Sequence, residues 1–153
     1  MEKLFDLRSP EDTQALAERL APQVGAGDVI LLEGPIGAGK THFARSFIQA
    51  LLPEPEDIPS PTFTIVQVYD GPTSEIWHSD LYRLTHPDEA IELGLDEAFE
   101  TAICLIEWPD RLGDMTPASA LKITFAVADN LESRTATFNW TDTGWSPKIE
   151  ALS

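Results

Sequence analysis

The stretch LLEGPIGAGKTHF, residues Leu31 to Phe43, decides the fold. Within it, GPIGAGKT fits the pattern G-x-x-x-x-G-K-[ST] through Gly34, Gly39, Lys40 and Thr41. Upstream, DVILLEG carries the unbroken apolar run of a strand buried on both faces of a parallel sheet. Downstream, THFARSFIQALL returns to helical spacing through Phe43, Phe47, Ile48 and Leu51. The order is strand, glycine loop, helix. Glycines let the backbone curl so that successive N–H groups point inward, and the helix N-terminus brings about half a unit of positive charge to the same spot. Lys40 adds a full charge. At about 4 Å and an effective dielectric near 20 it attracts one negative oxygen by roughly 4 kcal/mol, more than the roughly 0.3–2 kcal/mol of the dipole. The device suits phosphate, and Thr41 offers a hydroxyl to Mg²⁺.

Such a loop needs an acid at the end of a neighbouring strand, and ICLIEW supplies Glu107 after its apolar run. WHSDLYRL places Asp80 at a second strand end. Three roles are open to Asp80: activating water or a hydroxyl, holding the metal through a water, or capping Tyr82 and Arg83. SPTFT sets the hydroxyls of Ser60, Thr62 and Thr64 around Pro61, where a nucleotide-sensing segment would lie, with Thr62 in reach of a γ-phosphate or its Mg²⁺. A turn whose hydroxyls serve the backbone is the other reading. His78 and His86 have no cysteine or histidine at ligand spacing and read as structural or capping.

The remaining chain supports one α/β unit. EKLFDL alternates as a short strand, and SPEDTQALAERLAPQV begins a helix with Ser9 as N-cap, Pro10 in the first turn and Asp12 at the capping-box position. Prolines 53, 55, 59 and 61 make PEPEDIPSP a connecting loop. TFTIVQVYD and EIWHSDLY form a hairpin around Gly71 and Pro72; THPDEAIELG is a short helix with Thr85 as N-cap and Gly94 as stop, and LDEAFE adds a helical turn. TAICLIEW is a fully apolar strand, ALKITFAVAD and SRTATFNWT an antiparallel pair near the sheet edge, and GWSPKIEALS carries no strong signal. The expected fold is a three-layer α/β sandwich of P-loop NTPase type, its mixed sheet parallel in the centre with antiparallel edge strands and the ligand at the carboxyl ends of the central strands. A single domain over residues 1–153 is expected, with its core at about 5–140 and a tail at 143–153.

The 153 residues carry 26 acidic against 10 basic side chains, a formal charge of −16. That balance opposes direct binding of a DNA or RNA backbone and suits a basic protein partner or plain solubility. No apolar run is long enough to cross a bilayer and the acidic N-terminus lacks a secretory pattern, so a cytoplasmic location without membrane attachment is expected. The single Cys104, inside an apolar strand, reads as a buried structural thiol.

In order and spacing, GPIGAGKT, SPTFT, HSDLYRL and ICLIEWPDRL resemble the bacterial TsaE (YjeE) family across roughly residues 5 to 140. The resemblance implies a Mg²⁺-dependent ATPase, weak alone, that works with the TsaB and TsaD proteins after TsaC in making threonylcarbamoyladenosine on tRNA, which it meets through those partners. It implies that Gly37, Ala38, Gly39, Lys40 and Thr41 hold the phosphates, that Thr41 and Glu107 hold Mg²⁺, that Thr62 is the switch threonine, that Asp80 is needed for turnover and that Trp108 flanks the site. Glu11 and Arg134 match positions near the nucleotide. Two residues depart from the family pattern: Pro35 stands where an acid usually follows the first glycine, and His42 stands where a small hydroxyl residue usually follows Lys-Thr. His42 either donates a ring N–H to the nucleotide in its place or points away. Two further readings compete with the switch ATPase: a small-molecule or nucleotide kinase with Asp80 as base, and a scaffold that binds nucleotide without needing hydrolysis.

Overall fold

The computed structural model describes residues 1–35, 37–61, 64–128 and 133–152. Strands and helices alternate through the first half: β1 Glu2–Leu7, α1 Pro10–Leu20, β2 Val29–Glu33 and α2 Lys40–Leu51. A hairpin follows, β3 Val66–Asp70 and β4 Glu75–Asp80, then α3 Asp88–Glu92, α4 Leu95–Thr101 and β5 Ile103–Glu107. The chain closes with β6 Leu121–Val127, β7 Arg134–Asn139 and α5 Trp145–Glu150; 3-10 segments lie at Ala21–Gln23 and Pro109–Met115.

The strands form a seven-stranded sheet in the order β1-β7-β6-β2-β5-β4-β3. β2 pairs in parallel with both β5 and β6, and β5 in parallel with β4. β3 runs antiparallel to β4, and β7 antiparallel to β6 and β1. The expected antiparallel pair near the edge is β6 and β7, set inside it: β1 covers β7, while β6 joins the parallel centre. Alternate side chains of the central strands leave on opposite faces. Ile30, Leu32, Leu105, Ile123 and Phe125 pack with Leu16, Leu20, Phe43 and Phe47 of α1 and α2. Val29, Leu31, Cys104 and Ile106 pack with Leu95 and Ala98 of α4 and with Leu112. Both faces of β2 and β5 are therefore dry, which is why these two strands read as continuous apolar runs, and the result is a three-layer sandwich.

Local signals explain most boundaries. The Asp12 N–H donates to the Ser9 hydroxyl at 3.2 Å, and the Asp12 carboxylate accepts the Arg8 N–H at 2.9 Å, one residue before the N-cap's own amide. The Thr85 assignment is corrected: the N-cap of α3 is Pro87, and the Thr85 hydroxyl instead donates to Glu89 at 2.6 Å. Pro87 adopts helical torsions itself and the short helix begins two residues later than expected. The tail also differs from expectation, because α5 buries Trp145 and Ile149 against the α1–α2 face. No helix among the described residues is long and apolar enough to cross a membrane.

Candidate functional site

β2 ends at Glu33, and the chain turns through the glycine loop into α2, whose N-cap is Gly39. Its glycines serve two purposes. Gly34 has φ +139°, and a Cβ there would stand 2.5 Å from the backbone oxygen of Phe125 on β6, so this position is fixed by close packing. Gly37 and Gly39 have φ +83° and +107°, and among the described residues nothing beyond their chain neighbours lies within 4 Å of a Cβ built on either. They leave an open cradle that side chains would fill.

Lys40, the first residue of α2, is only 5% exposed. Its ammonium donates to the carbonyl of Gly34 at 2.5 Å and lies 3.8 Å from the centre of the Trp108 ring. Burial pushes its pKa below the usual lysine range, while the negative fields of Glu107, Asp80 and Asp110 oppose that shift. Trp108 is placed by backbone strain: it takes the left-handed torsions φ 58°, ψ 54° directly after β5, a conformation costing an L-residue about 1–2 kcal/mol. The turn carries the indole back over Lys40 and against Tyr82, whose ring centre is 4.9 Å away. Tyr82 is not among the site residues read from the sequence; its position two residues beyond Asp80, at the carboxyl end of a strand next to β5, is the signal that could have found it.

Thr41 and Glu107 meet across the site. The Thr41 hydroxyl donates to Glu107 Oε1 at 2.8 Å, and the second carboxylate oxygen lies 2.7 Å from Nε2 of the buried His78. His78 is structural in the sense expected, but its partner is the candidate metal ligand. His86 is a capping residue: its Nδ1 accepts the Asp88 N–H at 3.1 Å, at the start of α3. Asp80, which pairs in register with Glu107, accepts the Tyr82 N–H at 3.0 Å, the capping contact expected as one of its roles. Its own N–H donates to the carbonyl of Ile65 at 2.8 Å, tying the site to the chain just after the SPTFT loop. Thr62 lies outside the described residues.

Gly37, Gly39, Lys40, Thr41, His42, Asp80, Tyr82, Glu107 and Trp108 line one cavity of about 500 Å³. An adjoining cavity of about 440 Å³ shares Gly37, Gly39 and His42 and adds Ser9, Pro10, Thr13 and Arg134. Together they can take an elongated ligand with a phosphate end over the glycine loop. Arg134 therefore reaches the second cavity, whereas Glu11 is exposed on the first turn of α1 and lines neither. Ala38 is buried within the loop, its N–H turned back to Pro35 at 3.2 Å. His42 points its Nε2 at the Pro10 carbonyl, 3.0 Å away, so that nitrogen carries the proton and bridges α2 to the start of α1. The glycine cradle and buried ammonium fit a nucleotide polyphosphate. The Thr41 hydroxyl and Glu107 carboxylate are hard oxygen donors, a set that suits Mg²⁺ when phosphates and water complete its shell.

Fold and site define a class, the P-loop NTPase-type α/β sandwich with its phosphate loop between β2 and α2. The comparisons with known proteins are specific within it. The family described as threonylcarbamoyl adenosine biosynthesis protein TsaE matches residues 7–136. The tRNA threonylcarbamoyladenosine biosynthesis protein TsaE of Rickettsia conorii is 39% identical over 127 residues, covering 83% of this chain and 73% of that protein. The protein of the same name from Bacillus subtilis is 36% identical over 146 residues, 95% and 90% of the two chains. The crystal structure of Bacillus subtilis YdiB superposes with a TM-score of 0.83 at 31% identity, covering 99% of this chain and 94% of that one. The chain belongs to the TsaE family, whose members take part in threonylcarbamoyladenosine biosynthesis.

Proposed function

We propose that this chain is the ATP-binding and ATP-hydrolysing component of the tRNA threonylcarbamoyladenosine machinery, a cytoplasmic single-domain switch that works with TsaB and TsaD and meets tRNA through them. The observation that carries the reading is the convergence of Lys40, Thr41, Asp80 and Glu107 on one cavity at the carboxyl ends of the parallel strands. In this reading Gly37 to Thr41 bind the phosphates and Lys40 neutralises the transferred group. Lys40 leaves its contacts with Gly34 and Trp108 for phosphate oxygens, an exchange of one set of partners for another. Held by Thr41 and Glu107, Mg²⁺ supplies charge neutralisation at the phosphate oxygens when bound. Asp80, 6% exposed and fixed on one side by the Tyr82 N–H, orients the attacking water. His42 and Arg134 flank the nucleoside side, and Thr62 is the residue that senses the γ-phosphate.

The test is ATP turnover by the protein alone and with TsaB and TsaD. Weak release of free phosphate that rises on adding the partners is expected. Phosphate release without any acceptor also separates this reading from a kinase. No stimulation, together with normal tRNA modification in cells lacking the protein, would overturn it. If Asp80→Ala and Glu107→Ala preserve modification in vivo while Lys40→Ala abolishes it, nucleotide binding suffices and the chain acts as a scaffold.

A further inference from the structure

The buried end of β4 carries a polar group that the phosphate motif leaves unused. His78 is 0% exposed, and its Nε2 lies 2.7 Å from Glu107 Oε2. A carboxylate only accepts, so Nε2 carries the proton and donates. The other carboxylate oxygen accepts the Thr41 hydroxyl at 2.8 Å, so Glu107 is gripped from β4 on one side and from the first turn of α2 on the other. Register accounts for the reach. Asp80 stands opposite Glu107 and His78 opposite Leu105, so the three polar residues share one sheet face and the imidazole spans the diagonal. Further down the same face lie Ile76, Ile103 and Leu105, all in the core.

His78 Nδ1 is buried and has no hydrogen-bond partner among the described residues. An unpaired buried polar nitrogen costs about 1–3 kcal/mol. Leucine or phenylalanine would fill the same space without that cost, so packing alone does not account for an imidazole here. The rival for the Glu107 charge is close by: among the carboxylates acting on the Lys40 ammonium, Glu107 acts most strongly. A glutamate free to turn would pair with that ammonium and withdraw both groups from a ligand.

We propose that His78 is the positioning residue for Glu107. By holding Oε2 it presents Oε1 beside the Thr41 hydroxyl as a preset pair of oxygen donors for a divalent cation, and it keeps the carboxylate off Lys40. This rests on the reading above that Thr41 and Glu107 hold Mg²⁺. Hydrogen-bonded partners behind a metal ligand typically contribute 10–100-fold to metal affinity.

The experiment compares affinity for a fluorescent ATP analogue in EDTA and across a Mg²⁺ titration, for wild type, His78→Leu, His78→Asn, His78→Gln and Glu107→Gln, each first checked for folding by circular dichroism. The glutamine amide nitrogen reaches about as far as Nε2, and the asparagine amide falls short. His78→Leu and His78→Asn are expected to raise the Mg²⁺ concentration needed for half-maximal effect by about 10–100-fold, with a clearly smaller loss of affinity in EDTA as the freed carboxylate pairs with Lys40, and His78→Gln to recover most of both losses. If His78→Leu does not fold, the two amides still decide. The inference is overturned if His78→Asn keeps wild-type Mg²⁺ dependence while Glu107→Gln loses it, or if His78→Asn weakens binding equally in EDTA. Should Glu107→Gln itself keep wild-type Mg²⁺ dependence, the metal reading of Glu107 falls, and this inference with it.

Discussion

At the scale of single residues, the two ends of the phosphate loop should respond differently to the same added methyl group. Gly34→Ala drives a Cβ to 2.5 Å from a backbone oxygen of a neighbouring strand, and no flexible side chain can give way. We expect a stability loss of about 3 kcal/mol, read as a lower urea midpoint. Gly39→Ala meets nothing within 4 Å among the described residues beyond its chain neighbours and carries only the cost of a left-handed φ, about 1–2 kcal/mol, yet it fills the cradle and should weaken nucleotide binding far more than it weakens the fold. Equal stability losses in the two variants would show that the loop is not packed against β6 as described. Cys104 offers an independent check on the core. Burial pushes its thiol up to about 12, so at pH 8 the native protein should resist iodoacetamide and react only as fast as it unfolds. Much of the site was legible at this scale because Lys40 and Thr41 are fixed by local spacing, and Glu107 and Asp80 by strand ends. His78 and Tyr82 were not, because their partners arrive through the pairing of β4 with β5 and through the reversed turn at Trp108, which the linear sequence does not display.

At the scale of elements, legibility followed burial. Strands with both faces covered read as apolar runs, and α1 announced itself by its cap: Ser9→Ala should remove the bond to the Asp12 amide and cost about 1 kcal/mol in thermal or urea unfolding. Where an element depends on what it packs against, the sequence was silent. α5 spans six residues, too few for periodicity to show, and Pro147 within it reads as a breaker. Its helix is stabilised from outside. Trp145 is 3% exposed and donates its indole N–H to Ser119 at 2.7 Å, and the Leu152 carbonyl accepts from Arg19 of α1 at 2.8 Å. Trp145→Ala should therefore cost about 3–5 kcal/mol, as for a core tryptophan, although it lies in the apparent tail. A change below about 1 kcal/mol would mean that α5 is dispensable to the core. β6 gives the same lesson. Its alternation LKITFAV matches an antiparallel strand with one wet face, and one face is indeed the buried one, but on one side it pairs β2 in parallel, a partner chosen by topology rather than by pattern.

At the scale of the whole molecule, the charge of −16 sets two expectations with opposite dependence on salt. Within the folded chain, acids repel one another across distances that low salt does not screen: the Debye length is about 30 Å at 0.01 M and about 8 Å at 0.15 M. The melting temperature should rise by several degrees between 10 and 500 mM NaCl, since compaction concentrates like charge and added ions relieve it. Toward nucleic acid the same field is repulsive, because affinity for a phosphate backbone comes from counterions released by basic side chains, and only 10 Lys and Arg stand against 26 acids. One of those cations, Lys40, is buried beneath the phosphate cradle, where it faces Asp80 and Glu107 rather than solvent. In the proposed reading a small nucleotide would meet that cradle through local N–H groups and one ammonium, whereas a tRNA would have to approach along the acidic exterior. Filter binding at 0.15 M salt should accordingly find no tRNA retained by the protein alone at tens of micromolar, and retention should require TsaB and TsaD. Tight binding by the isolated chain, weakening steeply as salt rises, would reveal a basic face that this charge balance does not provide and would end the argument that tRNA is met through partners.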